Sequence, residues 1–585
     1  MNQPWETAFS ARDDLQAYGD NALGLFALGL KFGIEDLDTI AADSITDGSD
    51  DKKCDIVYID EDEAVAVISQ CYLSRKYRET APANKASDLN TAVAWLLQRP
   101  ISDLPPRIVS AANQLRNALT ANKISTIHIW YIHNLNESTN VKEELLTVEA
   151  SANAALKTHY PGIATKVHAL EIGQSIFNEW YTDTLSPILV NDTFNVEVIN
   201  GYEVTGPDWT AYITSVSARF LHRVFKRYRT RLFSANVRDY LGSRSSDSNI
   251  NHGIKRTAES DPLNFWVFNN GLTVLVNSYE KPDNNQRGKK YLTISGISIV
   301  NGAQTTGAIG SLKKSPSDEV QVPVRFVQTS NPDLVLNIVQ FNNSQNKVTA
   351  SDFRSTDKIQ KRLKNEIIVI PNAEYEGGRR GGFGDAIKRR QNFLPSYTVG
   401  QSLAALHGDP VTAYNQKTDI WINDRLYSKY FNEDTTGAHI VFAYSLLRAV
   451  ENRKLILMNK AKKGDANLTQ SEDKQITFLR KRGSIYLLVS AIAACLEVFL
   501  GRRIPNLYRI SFGVQVSPHD AQKIWSEIVD VTAPLSAQLE EAVNDGLKSI
   551  ERVNTVMQKF QGLIEVTADA NEKKYRAFQS HLTAR

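Results

Sequence analysis

Apolar residues recur at helical spacing through residues 6–40, where Leu15, Leu23, Phe26, Leu30, Phe32 and Ile34 can share a face. A polar loop, SITDGSDDKK, follows. Then come two runs rich in β-branched residues, 55–60 and 64–72, joined by the acidic turn of Asp60, Glu61, Asp62 and Glu63; they predict a β-hairpin. SDLNTAVAWLLQ predicts a helix with Ser87 or Asp88 as N-cap, and PPRIVSAANQLRNALTAN a second helix opened by prolines. ISTIHIWYIH (124–133) and ATKVHALEI (164–172) read as strands flanking the helix KEELLTVEASANAALKTHY. The order α, β, β, α, α, β, α, β over residues 1–175 predicts an α/β layered domain.

The pattern then changes. Residues 205–242 read as helical and basic, and residues 263–330 as strand-rich. Helices are expected again at 331–341 and 351–366, and almost exclusively from about 438 onward. The glycine-rich YEGGRRGGFGDAIKRR (375–390) reads as a flexible loop. The most apolar window, IYLLVSAIAACLEVFL (485–500), is shorter than a bilayer span and contains Glu497, so a buried core helix is expected. The fold class is therefore α/β and α+β, multidomain, with boundaries at 1–175, 176–430 and 431–585 and a helical C-terminal region.

Composition adds little beyond permission to fold. The 42% hydrophobic content allows an ordinary core, and the net charge of +2 confines any basic surface to local patches. Cys54, Cys71 and Cys495 are too scattered for a zinc site and odd in number, which favours free thiols in a reducing cytoplasm. The first residues lack a secretion signal, so a cytoplasmic location without membrane contact is expected.

Chemistry concentrates in the hairpin. Phosphodiester hydrolysis uses a divalent ion held by hard oxygens, and Asp55 with Gln70 can offer these from neighbouring strands. Period-two alternation puts Gln70 and Tyr72 on one face. A cation at position 72 would neutralise developing charge; tyrosine brings none. The bland alternative is an ordinary hairpin with a solvated acidic turn. The element order and the Asp55…Gln70 pair resemble the restriction-endonuclease-like superfamily, whose pattern is Asp…Gln/Glu-x-Lys. The resemblance implies a catalytic set of Asp55, Gln70 and Tyr72 (at the usual lysine position), with Asp55 binding Mg2+ or Mn2+. Lys76, or Lys52 and Lys53, could replace the missing lysine.

Three downstream stretches share asparagine, glycine and glutamine. FWVFNNGLTVLV holds Asn269, Asn270 and Gly271. ISIVNGAQTTGAIGSL holds Asn301, Gly302, Gln304, Thr305 and Thr306, and FNNSQNKVTASDF holds Asn342, Asn343 and Gln345. The second reads as strand, turn and helix, with Thr305 or Thr306 able to cap the helix and its N-terminus able to take an anion. A plain Asn-Gly turn is the competing reading. With NVRDYLG, these stretches resemble, in order, the motifs of the AIPR family, named for abortive infection and phage resistance. The resemblance spans about residues 230–400 and implies antiphage defence with nucleic acid as ligand, DNA favoured over RNA. A second copy of the chain or protein products of a defence operon are further expected partners.

Two basic patches bear on that expectation. Lys226, Arg227, Arg229, Arg231 and Arg238 interleave with Phe225, Tyr228 and Phe233, where core spacing favours a solvated helix face. Arg379, Arg380, Lys388, Arg389 and Arg390 flank the glycine loop and are expected to contact phosphates. The sequence thus points to a nucleic-acid-binding defence protein with a degenerate nuclease site, its metal-dependent cleavage either weakened or lost. The alternative is a non-enzymatic sensor or assembly subunit.

Overall fold

A computed structural model describes all residues except 1–2, 35, 49, 77, 186–187, 189, 229–231, 234–253, 285–289, 313, 330, 332–333, 336–337, 339–353, 355–356, 376, 378–392, 463–466 and 585. The chain divides into two units. One comprises Gln3–Trp5 and Ile176–Val348; the other comprises Glu6–Ser175 and Thr349–Arg585.

In the larger unit, β1 (Ile56–Asp60) and β2 (Val65–Tyr72) form the expected antiparallel hairpin. β3 (Thr126–His133) and β4 (Lys166–Ile172) each lie parallel to the strand before, giving the order β1-β2-β3-β4. Parallel neighbours need crossovers, and the helices Pro106–Thr120 and Thr139–His159 lie in those connections. Alternation along β1 and β2 sends Val57, Ala66 and Ile68 into one core with these helices. On the other face, Phe32 at the end of helix Asn21–Phe32 stacks on Trp130 at 5.8 Å. The sheet is thus a layer buried on both sides.

Local details differ from expectation. The N-terminal periodicity breaks into Pro4–Ser10, Asp13–Gln16, Asn21–Phe32 and Leu37–Ser44. The helix expected from Ser87 is two pieces, Ala83–Ser87 and Leu89–Leu97, and Asp88 between them is already helical and caps with no side chain.

The C-terminal helices of this unit share one large core, in which Trp421, Tyr430, Phe442 and Trp525 are buried. Helices between 396 and 430, expected in the central domain, belong to this core. The apolar window forms Ser484–Ala494 and Leu496–Leu500, buried as expected except for Ala494, Glu497 and the half-buried Val498. Among the described residues, no helix is long and apolar enough to cross a membrane.

The smaller unit is a ring of strands. β5 (Val190–Thr205) pairs β6 (Trp209–Ser217), β6 pairs β10 (Gln321–Thr329), and β10 pairs β7 (Leu272–Val276). β7 and β8 (Ser278–Asn284) run along β9 (Lys290–Asn301), which returns to β5. A closed ring of five cannot alternate direction throughout, and β10–β7 is its parallel pair. Strand therefore occupies 209–217, where helix was expected. The helix Ala218–Tyr228 begins only afterwards, with Phe225 and Tyr228 against the core. FWVFNNGLTVLV likewise opens with a helical turn, Phe265–Phe268, before β7.

Candidate metal centre

Asp55 stands one residue before β1. Its backbone N–H donates to Ser69 O at 2.9 Å, and its Oδ2 accepts from the Cys71 N–H at 2.6 Å. Continuing the register Ile56↔Ser69 by one step sets Asp55 opposite Gln70, so both side chains share the face predicted from sequence. Gln70 is only 6% exposed, and its Oε1 is buried without a hydrogen-bond partner among the described residues. An orphaned buried carbonyl is costly and calls for an explanation.

Two further carboxylates converge there. Oxygen atoms of Asp47, Asp51 and Asp55 lie within 4.8 Å of one another. The loop before β1 is pinned to do this. Asp51 accepts from Gly48 N at 3.1 Å and Lys53 N at 2.9 Å, while Asp47 N and Thr46 N donate to Asp55 O. Lys52 and Lys53 both take left-handed backbone angles, φ 55° and 68°, which side-chain-bearing residues adopt at a cost. Burial pushes the Asp55 carboxyl up to about 7, and the Asp47 and Asp51 charges add to the rise. The Cys71 N–H and, more weakly, the Lys462 ammonium oppose it. Three clustered carboxylates are the kind of oxygen donor set that a hard divalent cation relieves.

Tyr72 closes β2, half-buried, with its backbone opposite His133. None of the three lysines named as replacements brings its ammonium to the cluster by a described contact. Lys76 is exposed, and its carbonyl accepts from Ser74 Oγ at 2.7 Å. Lys52 pairs with Asp50 at 2.5 Å and lies 4.4 Å over the Trp95 ring; Lys53 pairs with Asp88 at 3.5 Å. Lys462 does reach the cluster, 2.6 Å from Asp47 Oδ2, which also accepts from Asn21 Nδ2 at 2.8 Å, and Arg107 Nη1 donates to Asp47 O at 3.0 Å. Beside Asp47 opens a polar pocket lined by Asp43, Thr46, Arg107, Arg480 and Arg482.

Sequence reading passed over Asp47 and Asp51, although DGSDDKKCD repeats aspartate every fourth residue. Lys462 carried no local signal. A buried pair at the ends of the parallel strands was also missed: His133 Nε2 lies 3.0 Å from Glu171 Oε1, while its Nδ1 accepts from Leu135 N at 3.3 Å.

The asparagine–glycine residues meet in the smaller unit. Asn269 Nδ2 donates to Thr305 Oγ1 at 3.0 Å, and Asn269 Oδ1 accepts from Gly271 N at 3.0 Å. Gly302, at φ 95°, precedes the helix Ala303–Gly310 and presses on Leu272, leaving no room for a Cβ. Neither threonine caps that helix: Thr306 Oγ1 donates back to Gly302 O at 3.1 Å, and Thr305 serves Asn269. Asn301 lies opposite Thr273 across β9 and β7, Asn270 is exposed and Gln304 half-buried. Asn342, Asn343, Gln345, Arg379, Arg380, Lys388, Arg389 and Arg390 lie outside the described residues, as do Arg229, Arg231 and Arg238.

Fold and site together define a two-unit chain: a closed strand ring in one unit, and in the other an α/β sheet with a helical body and a carboxylate cluster suited to a hard cation. A family model described as AIPR protein matches residues 233–528, just over half of the chain, so the chain belongs to the AIPR family. Membership suggests antiphage defence by abortive infection. No curated protein and no solved structure matches the chain.

Proposed function

We propose that the chain acts in antiphage defence as a divalent-metal-dependent phosphodiester hydrolase on nucleic acid, DNA favoured over RNA. Its N-terminal α/β region is read as restriction-endonuclease-like. The observation that carries this reading is the cluster of Asp47, Asp51 and Asp55, with Gln70, whose buried Oε1 has no hydrogen-bond partner among the described residues, opposite Asp55 across the hairpin. Asp55, with Asp47 and Asp51, would hold Mg2+ or Mn2+, and Gln70 would add a neutral oxygen. A divalent ion supplies Lewis-acid polarisation of the phosphate and eases deprotonation of the attacking water.

The chain's own residues hold the reactants. The Cys71 N–H fixes the orientation of Asp55. Arg107 Nη1 donates to Asp47 O at 3.0 Å and so helps hold the acidic loop in place. Hydrolysis needs only water: one P–O bond forms to its oxygen, the ester P–O bond breaks, and a proton reaches the leaving oxygen.

The test is a cleavage assay on DNA and RNA with Mg2+ or Mn2+, comparing wild type with Asp55→Asn. Metal-dependent cleavage that Asp55→Asn lowers by about a hundredfold or more supports the reading. Cleavage that survives the substitution removes the site. Binding without cleavage favours the sensor reading.

A further inference from the structure

We propose that Lys462, carried on the helix Gly437–Lys462 of the C-terminal half, is the cation this centre uses in place of the lysine that position 72 lacks. The inference rests on the hydrolase reading for its catalytic half, but not for its electrostatic half.

The delivery is built in. Along one stripe of the helix, residues three or four apart meet successive points of the N-terminal segment 36–47. Arg448 Nη2 pairs with Asp36 at 2.5 Å, and Glu451 Oε1 accepts from Thr39 Oγ1 at 2.8 Å. Lys454 Nζ donates to Ala42 O, Met458 lines the pocket beside Asp47, and Lys462 ends the stripe on Asp47 itself. Arg448, Glu451 and Lys454 are buried, so the upper stripe fixes the position of its last residue. Helix and segment advance in the same direction, 448 to 462 against 36 to 47, so the lysine can reach only this end of the sheet.

A surface ion pair alone would not need such an anchor. The site itself has the second mark of a ligand position, the partnerless buried Gln70 Oε1 opposite Asp55. Without metal, Lys462 compensates the charge of Asp47. With a divalent ion held by the carboxylates, the Lys462 ammonium would be free to face the phosphate oxygens. Lys462 therefore competes with the metal for one carboxylate and, once displaced, would act on the substrate phosphate directly.

The experiment uses the full chain as wild type, Lys462→Met, Lys462→Arg and Asp55→Asn. Lys462 is about one-third exposed, so both of its variants should fold, and thermal melting checks this. In calorimetric titration with MnCl2, Lys462→Met should bind Mn2+ at least about threefold tighter, because a competing positive charge is gone. Lys462→Arg should stay near wild type, and Asp55→Asn should lose binding. Equal or weaker Mn2+ binding by Lys462→Met overturns the proposal, as does absence of Mn2+ binding to wild type. On an oligonucleotide that wild type cuts, Lys462→Met should lose about a hundredfold in rate while Lys462→Arg keeps a measurable part. Tighter metal binding with unchanged cleavage removes the catalytic role. If wild type cuts neither DNA nor RNA, the hydrolase reading fails and the titration alone decides whether Lys462 competes for the cluster.

Discussion

At the scale of the residue, the centre depends on pairs that single strands cannot reveal. Asp55 and Gln70 were legible in the sequence because a hairpin of two short runs fixes its own register, and the structure brings them opposite each other. Asp47 and Asp51 were harder to read. They sit on an irregular loop whose course depends on two left-handed lysines and on Asp51 accepting from Gly48 and Lys53. Lys462 had no signal, since nothing in a local pattern says which helix end meets residue 47. The loop conformation yields a prediction. Lys53→Gly fits the φ of 68° without strain and should stabilise the unit by up to about 1 kcal/mol in chemical denaturation. A loss of stability would mean that the Lys53–Asp88 pair outweighs backbone strain.

At the scale of the element, two junctions explain where the sequence reading held and where it slipped. The turn from β9 into Ala303–Gly310 was legible, because strand, glycine and helix former follow one another. Its capping was not: the threonines are occupied by Asn269 and by the Gly302 carbonyl, partners set by tertiary approach. These contacts describe a lock between two turns. Gly302→Ala should cost about 1–3 kcal/mol, since the backbone angle and the contact with Leu272 both oppose a Cβ. Thermal melting checks this, and an unchanged midpoint contradicts the lock.

The second junction is the buried set Asp36, Arg448 and Glu451. One guanidinium serves two carboxylates, at 2.5 Å each. Burial raises both acids, but Arg448 and the hydroxyl of Thr398 hold Asp36 below the usual range, whereas Glu451 is pushed up to about 7. A folded-state value above the unfolded one means Glu451 costs stability above pH 7 and less as pH falls toward its ordinary range. Glu451→Gln should therefore raise stability by about 2–3 kcal/mol at pH 8 and by little at pH 5. Asp36→Asn should lower it by about 3–5 kcal/mol near neutral pH, because Arg448 loses its better partner. Urea unfolding at the two pH values reads both; a Glu451→Gln effect that does not vary with pH would contradict the assignment.

At the scale of the whole molecule, the α/β region and the late helices were legible because their periodicities are long and regular. The strand ring was only partly so. Residues 209–217 lie just before a basic, strongly amphipathic helix, and their pairing with β10 joins positions more than a hundred residues apart. Family membership comes from residues 233–528, whereas the acids of the centre lie between 47 and 55. Lys462, within the matched region, reaches one of them, Asp47. The defence function suggested by the family and the metal chemistry proposed for the N-terminal region thus meet in one ion pair.

Asp47, Asp51, Asp55 and Gln70 are proposed to bind a divalent cation. The most direct measurement is anomalous diffraction from crystals of the full chain soaked in MnCl2. A manganese peak is expected within bonding distance of Asp55 and at least one of Asp47 and Asp51, with Gln70 Oε1 turned toward it and Lys462 withdrawn from Asp47. Manganese bound elsewhere, or no peak among these carboxylates at saturating Mn2+, would contradict it.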